Sequence, residues 1–313
     1  MIALLLLAAL HATPSPTPLA EPYTHAQRLV DIGNGRKLNI YCMGSGSPTV
    51  IFDSGLETGS GTLPWAHVQP AVARFARACS YDRAGDGFSD PGPLPRDSDA
   101  VVSDLHALLD RADISPPYIL VAHSIAGLYE PLFAARYPSD VAGMVLVDPS
   151  APGQEELLSS QFPKYAAFEA QQTAALHGAP ASEFESFAKD GAELNSAMDG
   201  YGAMPLIVLT SIDDIQAIQQ PMGASSGQIA TVQQGWIALH DRIAAQSSRG
   251  LNCVIAGSGH YIQIDKPDAV IDAVRQVIML LTQMSANPTC PASASATPRP
   301  RTRAQKSRSS QRR

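Results

Sequence analysis

Short runs of β-branched and other apolar residues alternate along this chain with longer stretches of helical spacing, and that alternation admits few folds. Residues 36–42 (RKLNIYC), 49–53 (TVIFD), 78–82, 118–122 (YILVA), 143–147 (GMVLV), 206–210 (LIVLT) and 251–256 read as strands. Between them, 68–78, 97–112, 125–137, 227–246 and 267–284 read as helices. In 97–112 the apolar Val101, Leu105, Leu108 and Leu109 fall on one helix face. Runs such as LIVLT lack polar alternates, which suits strands buried on both faces. Strands joined by crossover helices build an α/β fold with a mostly parallel, doubly wound sheet covered on both sides. The alternation pauses over 149–204, rich in Ala, Glu, Gln, Ser and Phe, which predicts a helical lid inserted between two sheet strands.

The two ends differ from this body. Residues 2–10 form an apolar run too short to span a bilayer, which takes roughly 20 residues as a helix, but of the right length for the core of a signal peptide. A Pro-rich stretch over 13–22 follows, and export is expected, to a secreted or periplasmic location. The 313-residue chain has a net charge of −7, yet Arg299, Arg301, Arg303, Lys306, Arg308, Arg312 and Arg313 carry no acidic neighbour among them. Without those seven the remainder is twice as negative, a poor partner for nucleic acid. The expected organisation is a signal peptide over 1–20, a core over 23–148 and 205–285, the lid over 149–204, and a disordered basic tail over 286–313.

Within the core, residues 118–127 (YILVAHSIAG) place Ser124 directly after a buried strand and at the start of a helix. A turn that sharp requires small residues two before and two after the serine. Ala122 and Ala126 meet this where glycine is commoner, and Gly127 follows. A helix N-terminus stabilises developing negative charge, so the position suits a nucleophile.

Five segments in this order and spacing resemble the α/β-hydrolase superfamily, and within it the small esterase and proline-iminopeptidase-like enzymes. They are 52–56 (FDSGL), 81–89 (YDRAGDGFS), 122–127 (AHSIAG), 145–149 (VLVDP) and 257–261 (GSGHY), and the likeness spans about 30–281. The resemblance implies Ser124 as nucleophile and His260, on a glycine loop after the 251–256 strand, as its base. The chain order Ser, Asp, His agrees with that superfamily. Two acids are open. Asp148 ends the GMVLV strand and is favoured, while Asp214 follows the next strand at the more usual site. Ser211 and Asp214 also have the spacing of a helix capping box. The oxyanion hole would use the backbone N–H of Ile125 and, by resemblance, of Leu56, with Gly55 supplying a positive φ. Asp82 and Arg83 read as a charged pair fixing their loop, and His123 as a packing residue.

In such a fold the strands carrying Cys42 and Cys79 would be neighbours, and the last helix would return Cys290 to Cys253. The resemblance thus implies disulfides Cys42–Cys79 and Cys253–Cys290, consistent with export. The expected activity is cleavage of a carboxylic ester, or a small amide, of a small-molecule substrate through an acyl-enzyme. No cofactor, metal, nucleic acid or membrane span is implied. Two alternatives stand: a proline-type aminopeptidase, and a ligand-binding sensor that retains the triad. Glu155, Glu156, Glu183, Glu185 and Glu193 of the lid could face an amine but are expected to be solvated. Dehalogenase and epoxide-hydrolase chemistry is disfavoured, since those relatives place an aspartate where this chain has Ser124.

Overall fold

The computed structural model describes residues 21–296, apart from 57, 58, 198, 199, 218, 284 and 293. The expected signal peptide and the basic residues from Arg299 onward lie outside the described residues. Strands β1 (Leu29–Gly33), β2 (Arg36–Met43), β3 (Thr49–Asp53), β4 (Arg77–Tyr81), β5 (Tyr118–His123), β6 (Val141–Val147), β7 (Leu206–Thr210), β8 (Gly250–Ile255) and β9 (Ala294–Ala296) form one sheet. Their order is β1-β2-β4-β3-β5-β6-β7-β8-β9. The six strands from β4 to β8 in that order run parallel, and β1, β2 and β9 are antiparallel additions at the edges.

Period-2 alternation assigns each central strand to two apolar layers. Ile51, Leu120, Leu146 and Val208 face one core, closed by helices α1 (Ser98–Arg111), α2 (Ala126–Arg136) and, beyond the lid region, a long helix over 226–244. Val50, Phe52, Val121, Val145 and Ile207 face the other, closed by the last helix. Helix α1 begins where Asp97 accepts the Ala100 N–H at 3.1 Å.

Three helices lie between β6 and β7: α3 (Gln154–Gln161), α4 (Tyr165–Thr173) and α5 (Gly178–Ala197). They occupy the stretch expected to hold the lid. The core then resumes with β7, α6 (Ser226–Ala244), β8 and α7 (Pro267–Thr282). A reciprocal capping box of Ser225 and Gln228 starts α6.

Two local expectations are corrected, and one strand lies where none was expected. The helix expected over 68–78 is a single turn, Gln69–Val72, because residues from Arg77 onward already pair in β4. The strand β1 carried only weak apolar signal, with Val30 and Ile32 its buried positions. The disordered tail expected over 286–313 does not hold for its first part: residues 294–296 pair with β8, and Cys290 is bonded to Cys253. The two bridges, Cys42–Cys79 and Cys253–Cys290, join Cα atoms 4.0 and 5.6 Å apart, within the reach of a disulfide. Cys42 and Cys79 sit opposite each other on β2 and β4. Two disulfides are consistent with an extracellular location. No helix among the described residues is long and apolar enough to cross a membrane.

Strand order also marks a candidate edge for a site. From β3 the chain moves outward to β4, then returns to β5 on the opposite side of β3 and continues away through β6, β7 and β8. The connections of the neighbouring strands β3 and β5 therefore leave in opposite directions, the kind of switch point at whose carboxyl edge α/β sheets bind ligands.

Candidate active site

Ser124 stands at that switch point, one residue beyond β5, with φ of +58°. A non-glycine residue in the left-handed region is strained, and such strain gathers at functional sites. Its backbone is held firmly: the carbonyl accepts Gly127 N–H at 2.9 Å and Ser150 N–H at 2.7 Å, and its own N–H donates to Val147. Ala122 and Ala126 are fully buried, as the crowding of so tight a turn requires. Gly127 has a different reason to be glycine. A Cβ there would lie 2.4 Å from that of Pro149, so α2 packs directly on the turn after β6.

That turn carries Asp148, which has φ of +41°. Its Oδ2 lies 2.7 Å from Nδ1 of His260, and its Oδ1 accepts Trp236 Nε1–H and Ser211 N–H, each at 3.0 Å. A carboxylate can only accept, so Nδ1 is the donor in this contact and Nε2 points away from it. Among the described residues neither His260 Nε2 nor Ser124 Oγ has a hydrogen-bond partner. Ser124 is 0% exposed and His260 1%.

The main chain of His260 is clamped from two sides. Its N–H donates to Asp214 Oδ2 at 2.7 Å, and its carbonyl accepts His123 Nε2–H at 3.1 Å. The two imidazole rings have centroids 4.6 Å apart, which brings His260 over the end of β5. Burial, with His260 nearby, pushes His123 well below the usual imidazole range and keeps it neutral. Burial also raises the Asp214 carboxyl. Of the two candidate acids, Asp148 meets the imidazole and Asp214 meets the backbone. The side chains of Ser211 and Asp214, expected to form a capping box, are turned elsewhere: the Ser211 hydroxyl donates to the Ser258 carbonyl and Asp214 Oδ2 accepts the His260 N–H.

Gly55 brings the loop after β3 against the serine. A Cβ at Gly55 would lie 3.0 Å from both Ser124 Cβ and His123 Nδ1. Its φ is not in the left-handed region, so the expected reason for glycine is corrected: close approach requires it. Leu56 follows, nearly buried, and Ile125 lies at the N-terminus of α2.

Asp82 and Arg83 do not pair with each other. Asp82 accepts from Asn39, Ser60, Thr62 and Phe88. Arg83 turns inward to Asp53, Asp86 and Glu183. Glu183 belongs to α5 and is 0% exposed, so the expectation that the lid glutamates are solvated fails there. The cause is the buried guanidinium opposite it. Trp236 is a site neighbour that the sequence does not single out, and Glu183 is one whose burial against Arg83 the sequence does not predict. Each looks in sequence like an ordinary helix residue. No group of three His, Cys, Asp or Glu placed to hold a metal occurs among the described residues.

A family model described as the alpha/beta hydrolase family matches residues 50–273. The chain belongs to this family. It is 30% identical over 250 residues to the uncharacterized protein YqjL of Bacillus subtilis (strain 168), covering 78% of this chain and 88% of that protein. Solved structures repeat the fold of this family member. A thermophilic esterase from Thermogutta terrifontis has a TM-score of 0.55 at 17% identity, covering 82% of this chain and 99% of that one. The enol-lactonase from Burkholderia xenovorans LB400 has a TM-score of 0.56 at 16% identity, covering 80% and 99%. At such identities the likeness concerns the fold alone.

Proposed function

We propose that this family member is a serine hydrolase that cleaves a carboxylic ester of a small molecule through an acyl-enzyme on Ser124. The observation that carries the reading is the 2.7 Å contact of Asp148 Oδ2 with His260 Nδ1, on a loop packed over the strained Ser124 turn. In this scheme His260 Nε2 takes the Ser124 proton as Oγ bonds to the carbonyl carbon. The oxyanion is held by the N–H groups of Ile125 and Leu56. The proton passes to the departing alcohol as the C–O bond breaks. Water then adds to the acyl-enzyme with its proton going to Nε2, and release of the acid restores the serine. Asp148 holds the imidazole in the required tautomer and stabilises its cation. The helices α3 to α5 act as the lid.

An ester is favoured over an N-terminal amine substrate. Glu183, the most buried lid glutamate, already faces Arg83 and offers no free charge to an amine. The disulfides support a secreted or periplasmic location. The test is a panel of short- and long-chain p-nitrophenyl esters set against proline-naphthylamide, with fluorophosphonate labelling of the wild type and Ser124→Ala. Ester turnover, and labelling lost in the variant, are expected. Labelling of Ser124 without turnover of any substrate would replace the enzyme with a ligand sensor.

A further inference from the structure

Arg83 is 2% exposed, and all five of its N–H directions are used. Nε donates to Glu183 Oε1 at 3.1 Å. Nη1 donates to Asp53 Oδ1 at 2.8 Å and to the Ser54 carbonyl at 2.7 Å. Nη2 donates to the Gly55 carbonyl at 2.7 Å and to Glu183 Oε2 at 2.9 Å. Two of these donors thus hold backbone carbonyls of the loop that presses on Ser124.

The Gly55 carbonyl belongs to the same peptide unit as the Leu56 N–H. A trans peptide is planar, so its C=O and N–H point in opposite directions. Gripping the oxygen therefore sets the direction of the N–H on the far side. A charged donor on that oxygen also polarises the amide and strengthens its N–H as a donor. Arg83 could not do this if its fork were free to turn. Glu183, on α5, and Asp53, at the end of β3, hold it from two sides in a fully buried setting.

We infer that Arg83 is a positioning residue: through the Gly55 carbonyl it aims and polarises the Leu56 N–H toward the oxyanion, and Glu183 of the inserted helix holds it in place. This rests on the proposed serine-hydrolase function. It gives the inserted region a part in the chemical step as well as in covering the site. Lysine cannot substitute, because a single ammonium group cannot reach both carbonyls and two carboxylates in one plane.

The test compares Arg83→Lys and Glu183→Gln with wild type on p-nitrophenyl acetate, each normalised by active-site titration with a fluorophosphonate. A boronic acid, which mimics the tetrahedral oxyanion, is used as inhibitor. For Arg83→Lys, kcat per titrated site should fall about tenfold to a hundredfold, with KM within about threefold, as when an oxyanion donor is weakened. Boronate affinity should fall in parallel. Glu183→Gln, which keeps the shape of the side chain, should move both quantities the same way by a smaller factor. A purely structural role would reduce the titrated fraction and leave kcat per site and boronate affinity unchanged, and that result overturns the inference. If Arg83→Lys does not fold, Glu183→Gln decides by the same two readouts. A wild type that neither turns over esters nor labels at Ser124 sinks the proposed function and this inference together. An active wild type with unaltered variants sinks the inference alone.

Discussion

The indole of Trp236, on α6, donates through Nε1 to Asp148 Oδ1 at 3.0 Å, and so leaves Oδ2 to His260. The carboxylate is buried, so each donor matters. Trp236→Phe removes one of them and should lower stability by about 1.5–3 kcal/mol, as for a hydrogen bond to a charged group. Urea denaturation of the folded variant measures this. Ester turnover should drop through kcat with KM little changed.

The two aspartates near His260 should respond unequally. Asp148→Asn places an amide against Nδ1 and favours the wrong tautomer, which should cost about 10⁴ in kcat. Asp214→Asn keeps an oxygen for the His260 N–H and should cost no more than about tenfold, the scale of one weakened hydrogen bond. Steady-state kinetics of both variants decides, and the reverse ranking would transfer the acid role to Asp214.

Gly127→Ala would set a Cβ 2.4 Å from Pro149 Cβ and 2.9 Å from its Cα. Backbone must yield there, separating α2 from the Asp148 turn. A loss of about 1–3 kcal/mol is expected, as for other overpacked sites, with a fall in kcat. Thermal melting and turnover at matched folded fraction provide the check.

Asp190 on α5 accepts the Ser98 N–H at 2.9 Å, yet burial pushes its carboxyl up to about 7. A carboxyl raised on folding favours the native state while protonated. Its contribution is complete below the unfolded value of about 4 and is lost as pH rises through about 7. Wild-type melting temperature should therefore fall between pH 5 and pH 8 by more than that of Asp190→Asn. Equal slopes in a buffer series would refute the assignment.

Each disulfide links cysteines 37 residues apart. Closing a loop of that length stabilises by about 4 kcal/mol in the chain-entropy view. Cys42→Ser with Cys79→Ser, and Cys253→Ser with Cys290→Ser, should each lower the unfolding free energy by several kcal/mol. Reductant should destabilise wild type in the same way.

Much of this was legible in the sequence because the signals were local. Unbroken apolar runs such as LIVLT predict strands covered on both faces, and β7 is buried at all five positions. The small residues around Ser124 report a backbone constraint that acts within a few positions. What sequence patterns do not carry is the direction of a long side chain after packing. Arg83 lies one residue from Asp82, yet their partners lie in different parts of the molecule, and Glu183 is 100 positions away. Trp236 reads as one apolar residue in an amphipathic helix. Its donor role follows from the packing of α6 on β7 and β8, which brings the indole to Asp148 in the turn after β6. For Asp148 and Asp214 the sequence offered two carboxylates at comparable strand ends, and only the packing of the 257–261 loop separates imidazole from main chain.

Ser124 and Asp148 are 0% exposed and His260 1%, so dissolved ions do not surround these side chains. Mobile salt screens charges that it can surround, over roughly 8 Å at physiological strength. The exposed pair Arg275–Asp272 should weaken as sodium chloride is added. On the proposed mechanism, the attraction between Asp148 and the imidazolium formed during turnover should not, so chemistry at this centre should be nearly indifferent to ionic strength.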